Sequence, residues 1–401
     1  MAASPILDNV ANATTPAASA SASLLVCLPS LPAEALQRIR ATIATAFPSE
    51  TVLIASPEGA PENASSQPAL LPYAHPRSNS SWVLAAGDYV AATELAIAKN
   101  SDAIVLLGDG EISSASLASL VAEVRTHQTD LVLPRYTTAP TDGLVTSALL
   151  YPLTRALFGV DVRFPLPLNA AFSRRAAERL GPAANRLTTG GAPESLLWPV
   201  SEAAIAGLTV RQSDAGERSL PQPSESDFNT LFVAVAGSLF ADIEAKAAFW
   251  QRARSLTPSV TAATSVPANE EATAEIATFV ENFRLAYANL QEIWSLVLPP
   301  QSLLALKRLS ATPPESFSVA PQLWARIVYD FILAFHFRTI NRGHLLGAFT
   351  SLYLAWVASF VRIAGHSTSA AARVTADTAA AFDIEKPYLL ARWRWPDRFN
   401  P

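Results

Sequence analysis

The stretch Ile104-Val105-Leu106-Leu107-Gly108-Asp109-Gly110-Glu111 is an apolar run that ends in two carboxylates one residue apart. It reads as a buried strand delivering acids to its carboxyl end, which is where open α/β sheets bind ligands. Side chains alternate along extended chain, so Asp109 and Glu111 are spaced to point the same way and to hold Mg2+ or Mn2+ against a diphosphate. Gly108 and Gly110 allow the backbone to turn and to come close to a ligand. The competing reading is a polar turn, with Glu111 serving as an N-terminal acid for a helix over residues 117–128.

Composition narrows the chemistry. Half of the 401 residues are hydrophobic and 16% are charged, which suits a folded protein with room for two or three packed units. A net charge of −5 gives no electrostatic case for nucleic acid. Lys99, Lys246, Lys307 and Lys386 are the only lysines among 29 basic residues, and the arginine bias suits planar phosphate or carboxylate recognition. Cys27 is the single cysteine, so an internal disulfide and a cysteine-rich zinc site are both excluded. Histidines 75, 127, 336, 344 and 366 have no metal-ligand spacing, and the chain has neither a Gly-x-Gly-x-x-Gly turn nor a Walker A sequence.

The elements that must position the acids follow from periodicity. Residues 1–22, rich in Ala, Ser and Thr without a basic start or an apolar core, read as a disordered tail rather than a secretory signal, so a cytoplasmic protein is expected. Residues 23–28 and 51–55 read as strands, with a helix over 33–47 between them. A Pro/Ser/Asn-rich loop over 56–80 precedes a third strand at 82–86 and a helix at 88–99. The acid-bearing strand, a helix ending near Gln128 and a strand at 131–134 complete an alternation that predicts a mostly parallel sheet with right-handed crossovers. After the turn at Asp142-Gly143, a helix runs through Phe158 with Pro152 inside it, which predicts a kink. Pro165 and Pro167 then force an extended approach to Asn169.

The segment Tyr151-Pro152-Leu153-Thr154-Arg155-Ala156-Leu157-Phe158-Gly159, between Asp142-Gly143 and Val162-Arg163, resembles the retaining nucleotide-sugar glycosyltransferases. The similarity is to the glucosyl-3-phosphoglycerate synthase and mannosylglycerate synthase type, which have the GT-A fold. Phe228 to Phe240, His344-Leu345-Leu346 and Ser351-Leu352-Tyr353-Leu354 extend it over about residues 23–365. The resemblance implies a GT-A-like catalytic unit over 23–254, a linker over 255–271 and a helical C-terminal domain over 272–401. It implies a nucleotide-sugar donor, a small anionic acceptor and a divalent cation that neutralises the departing diphosphate. Asp109, Glu111 and Glu217 are then the metal ligands, and Glu194 is the acid nearest the donor sugar. Pro29, Ser30, Gly108 and Gly110 border the nucleotide, while Tyr136, Arg155, Arg163, Asn169, Arg174, Thr189 and Gly190 contact donor or acceptor.

Each assignment has an ordinary counterpart. The arginines also suit interface ion pairs, Asn169 a turn cap, and Glu194 the first turn of a helix over 195–207. The chain departs from the family at base-binding positions, which read Pro29-Ser30 and Ala55-Ser56-Pro57-Glu58, and where a metal-binding His is expected it reads Asp214-Ala215-Gly216-Glu217-Arg218. There Glu217 serves as a ligand or Arg218 replaces the metal's charge. A degenerate transferase acting as a binding scaffold is the alternative function.

Long apolar-periodic helices dominate the C-terminal part. Ile276, Phe279, Phe283, Ala286 and Leu290 share a face that suits a bundle or a homodimer contact. Residues 345–361 approach the length of a membrane span, but Thr350, Ser351, Tyr353 and Ser359 favour a buried core helix over membrane contact. Trp324 and Tyr329 read as core, and the aromatic residues from Tyr388 onward read as docked on the helices or on a second subunit.

Overall fold

The computed structural model describes residues 23–29, 33–56, 70–72, 83–108, 111–166, 168–189, 196–219, 228–254 and 270–395. The expected tail over 1–22 and most of the expected linker lie outside them. In chain order the N-terminal part comprises β1 (Leu24–Cys27), α1 (Ala33–Ala46), β2 (Val52–Ser56), β3 (Leu70–Pro72), α2 (Ala86–Lys99), β4 (Ala103–Leu107), α3 (Ser114–Arg125) and β5 (Leu131–Thr137). Two π-helical turns, Thr146–Leu150 and Thr154–Phe158, then flank α4 (Tyr151–Leu153), and β6 (Asn169–Ser173), α5 (Arg174–Thr189), α6 (Pro199–Ile205) and β7 (Val210–Glu217) follow. The rest is helical: α7 (Phe228–Ala245), α8 (Ala247–Trp250), α9 (Glu270–Ser295), α10 (Pro300–Ser310), α11 (Pro321–Phe337), α12 (Arg342–Ala364) and α13 (Thr368–Arg394).

The strands form one sheet of order β3-β2-β1-β4-β6-β5-β7. All neighbours are parallel except β6, which runs antiparallel to both β4 and β5. The apolar runs of β1, β2 and β4 are buried along their whole length, as strands covered on both faces must be. One face packs on α1 and α3 through Ile39, Ile43, Leu117 and Leu120. The other packs on α2, α5 and α6 through Tyr89, Ala92, Leu180 and Val200. This mostly parallel sheet with helices on both faces and a helical C-terminal region is the α/β fold that the alternation of strands and helices predicts.

One local expectation is corrected. The third strand is Leu70–Pro72, within the expected loop, and not residues 82–86, where Ala85 makes only an isolated bridge to Leu196. Pro152 sits between two widened turns, because it has no N–H for the carbonyl four residues earlier. That carbonyl, Ala148 O, accepts instead from Trp324 Nε1 at 2.9 Å. Gly159 ends the segment at φ 68°, where a glycine avoids the left-handed penalty.

A third and larger core gathers Leu149, Leu153, Leu157, Phe232, Phe240, Phe283, Trp324, Phe349 and Tyr353. It draws on both sides of residue 255. Ile276, Phe279 and Phe283 are buried as the α9 pattern predicts, and Trp324 and Tyr329 are fully buried in α11. Both α7 and α12 are long and apolar enough to cross a membrane, yet 78% of the α12 window is inside the protein against 39% for α7. Trp393 packs edge-on to Trp250 at 5.0 Å and stacks on His336 at 3.9 Å, which docks the end of α13 on the helices.

Candidate active site

Strand order reverses between β1 and β4, with β2 on one side and β6 on the other. In an open α/β sheet the crevice at the carboxyl ends beside such a switch is the binding position. The carboxyl end of β1 is closed by buried Leu28 and Pro29, and Cys27 is fully buried, where desolvation pushes its thiol up and leaves it inert. Beside it, α2 opens with buried Asp88, whose Oδ2 accepts from Ala85 N at 2.7 Å. Burial lifts this carboxyl to about 7, opposed by the Ala85 hydrogen bond.

The carboxyl end of β4 is tied down more tightly. Antiparallel pairing places Asn169 opposite Leu107. Gly108 N then donates to Asn169 Oδ1 at 3.0 Å and to Leu168 O at 3.1 Å. A Cβ at residue 108 would lie 2.6 Å from Leu168 O, so only glycine permits this approach. Asn169 Nδ2 in turn donates to Tyr136 Oη at 3.1 Å. Burial pushes the Tyr136 phenol up, the Asn169 hydrogen bond opposes that, and the charge of Glu111 adds to it. Phe164 meets the Tyr136 ring edge-on at 5.8 Å, and Val83 and Leu168 complete a small apolar cluster around it.

Arg218 follows β7 at the same edge. Its backbone N donates to Thr137 O at 3.0 Å, and its guanidinium carbon stands 5.0 Å from the centroid of the Tyr136 ring. Burial lowers its pKa to about 10. Glu217, one residue earlier, is exposed and paired in register with Thr137. Of the two ways to read the 217–218 pair, the fold turns the arginine over the tyrosine. Glu111 is exposed ahead of α3, whose N-cap is Ser113, accepting from Ser116 N at 3.0 Å.

Gly108, Tyr136 and Asn169 are thus brought into direct contact, with Glu111 near enough to influence the phenol. Ser30, Asp109, Gly110, Gly190 and Glu194 lie outside the described residues. Thr189 is the exposed last residue of α5, and its hydroxyl donates to Asn185 O at 2.8 Å. Arg155 is committed elsewhere, with Nε on Asp383 at 2.9 Å and Nη1 3.4 Å from Asp161. Arg163 lies over the Tyr151 ring at 5.1 Å, its backbone N donating to Gln212 Oε1 at 2.8 Å. Arg174 begins α5 at the opposite edge of the sheet: the preceding Ser173 pairs with Ala103, at the start of β4, and Arg174 donates to Asn100 at the end of α2. Four residues of strand, roughly 13 Å, separate Ala103 from Leu107.

Among the described residues no three of His, Cys, Asp or Glu come together as a metal ion requires. Asp109, the first of the expected ligands, lies outside those residues.

No protein-family model matches this chain. No curated protein matches it either. Solved structures that align with it include a protein described as a nucleotide-diphospho-sugar transferase from Desulfovibrio desulfuricans G20, at 10% identity over 58% of this chain and 98% of that one, with a TM-score of 0.29. Another is mannosyl-3-phosphoglycerate synthase from Rubrobacter xylanophilus, at 14% identity over 62% of this chain and 84% of that one, with a TM-score of 0.35. The assignment of fold stands on the strand order and sheet directions, not on these alignments.

Proposed function

We propose that this chain transfers a sugar from a nucleotide-diphosphate donor to a small anionic acceptor, such as a glycerate or phosphoglycerate, with retention at the anomeric carbon. The observation that supports this reading is the carboxyl edge at the β1/β4 switch, where Gly108, Asn169 and Tyr136 form one hydrogen-bonded chain beneath Arg218. Gly108 lets Leu168 O close onto the end of β4, Asn169 fixes that end, and Tyr136 carries a cation beside it. Mg2+ or Mn2+ on Asp109, Glu111 and Glu217 remains part of the expectation from sequence. The described donors do not complete that site, so no step is routed through it.

The test is incubation of the full chain with UDP- and GDP-sugars and with glycerate or 3-phosphoglycerate, in Mn2+ and in EDTA, reading nucleoside diphosphate and glycoside product. Acceptor-dependent release from one donor is expected. Absence of release above spontaneous hydrolysis, with no nucleotide binding, would replace this reading with a non-catalytic scaffold.

A further inference from the structure

We infer that the helical region carries a binding site of its own, a cavity between α12 and α13 that takes a small organic ammonium ion with an apolar body. The site is independent of the transferase reading, since none of the described residues lining it belongs to the sheet.

Side-chain size is the first argument. Trp356, Phe360 and Ile363 recur at helical spacing along α12, and across the cavity α13 offers Ala370, Val374 and Thr378 at the same spacing. Large side chains set against short ones leave a gap, here about 340 Å3, which is the size of a small-molecule site. The segment entering α11 lines the cavity with Val319. That segment is fastened to α12 by Arg362 Nε, which donates to Phe317 O at 2.6 Å, and by Val319 N, which donates to Ser359 Oγ at 2.9 Å. The walls are thus fixed in advance, and a ligand has little to order when it enters.

Chemistry is the second argument. Asp377 lines the same cavity and makes no hydrogen bond or ion pair with a described residue. Burial pushes its carboxyl up, and Arg373, one turn earlier, pulls it down through its charge without a hydrogen bond. A carboxylate beside apolar walls gains most from a cation that brings its own hydrogen-bond donors. Trp356 and Phe360, with ring centroids 5.1 Å apart, add aromatic surface that attracts the same cation. Trp356 is 3% exposed, and its indole N–H has no acceptor among the described residues. That N–H is not sealed inside the fold as the Tyr353 hydroxyl is, so it suits a ligand whose apolar body also carries an oxygen.

The competing occupant is an anion held by Arg373, the other charge in the lining. Tyramine, its neutral analogue tyrosol and its anionic analogue 3-(4-hydroxyphenyl)propionate separate the two when titrated calorimetrically into the full chain, Asp377→Asn and Trp356→Phe. Wild type is expected to bind tyramine, and to bind tyrosol and the propionate at least about tenfold more weakly. Asp377→Asn should weaken tyramine by about tenfold or more, and Trp356→Phe, which keeps a ring and removes the N–H, by roughly threefold to tenfold. Thermal unfolding checks that the variants are folded, and either one carries the comparison if the other is not. Tyramine affinity unchanged in a folded variant overturns the inference, as does the propionate binding as tightly as tyramine. So does a wild type that binds no tyramine at ~10 mM.

Discussion

Replacing Arg155 by Met distinguishes a ligand-binding arginine from one that holds the fold. Its side chain is 11% exposed and that of Asp383 1%, and they meet at 2.9 Å. Asp383 Oδ1 has no hydrogen-bond partner among the described residues. Burial raises the Asp383 carboxyl above its ordinary value, while the Arg155 hydrogen bond and charge and then Lys386 pull it down and Asp161 pushes it up. Removing the guanidinium strands a carboxylate in the interior, and breaking a buried pair from one side costs about 3–5 kcal/mol. The sign of the pH dependence follows from linkage. With a folded pKa above the unfolded one, the acid keeps its proton only in the folded state between the two values. Stability is therefore full below the unfolded pKa, near 3.9, and is lost as pH rises through the folded one. Urea unfolding of wild type, Arg155→Met and Arg155→Met/Asp383→Leu at pH 5 and pH 8 reads the effect. The single variant should lose about 3–5 kcal/mol at pH 8 and less at pH 5, and the double variant should recover most of it. An Arg155→Met protein within about 0.5 kcal/mol of wild type at both pH values, but without acceptor-dependent turnover, would refute the structural role.

Three other substitutions are equally direct. Gly108→Ala drives a methyl to 2.6 Å from Leu168 O and should cost about 1–3 kcal/mol with weakened nucleotide binding, whereas Gly347→Ala, with nothing within 4 Å, should stabilise α12 by roughly 0.5–1 kcal/mol; equal urea midpoints for the two would contradict the packing at Gly108. Asp88, lifted from 3.8 to about 7, makes the wild type lose stability as pH rises between those values, so Asp88→Asn should show a shallower slope of unfolding free energy there, and parallel slopes would count against its burial.

Legibility in the sequence followed the physics of each element. The runs at 24–27, 52–56 and 103–107 are buried on both faces and therefore apolar except for Ser56, so alternation with helices was enough to read these parallel strands. β3 has three residues and no period to detect. β7 is half polar, because it pairs only with β5 at the edge of the sheet, and its burial follows no simple alternation. The direction of β6 is a tertiary fact, set by the chain doubling back beside β4. Gly108, Tyr136 and Asn169 were legible as residue types suited to a ligand, but their contact depends on that antiparallel strand. The ion pair of Arg155 was not legible because its partner Asp383 lies 228 positions away. Arg218 stood in the sequence beside Glu217 as an alternative, and only the course of the chain past β7 decides which side chain crosses the tyrosine.

The widened turns around Pro152 have a consequence for how the protein is made. Their spare carbonyls are capped from the far end of the chain, Ala148 O by Trp324 and Ala156 O by Lys386 Nζ, the latter across 230 residues. During synthesis this apolar segment leaves the ribosome long before its partners exist, and at about 5–20 residues per second it waits at least roughly ten seconds. Its leucines are exposed for that time, and a shortened chain that stops before α13 still caps Ala148 O through Trp324 but lacks the Lys386 bond to Ala156 O. Expression of such truncations should yield aggregated material, while co-expression of the missing helices as a separate chain offers a way to recover it.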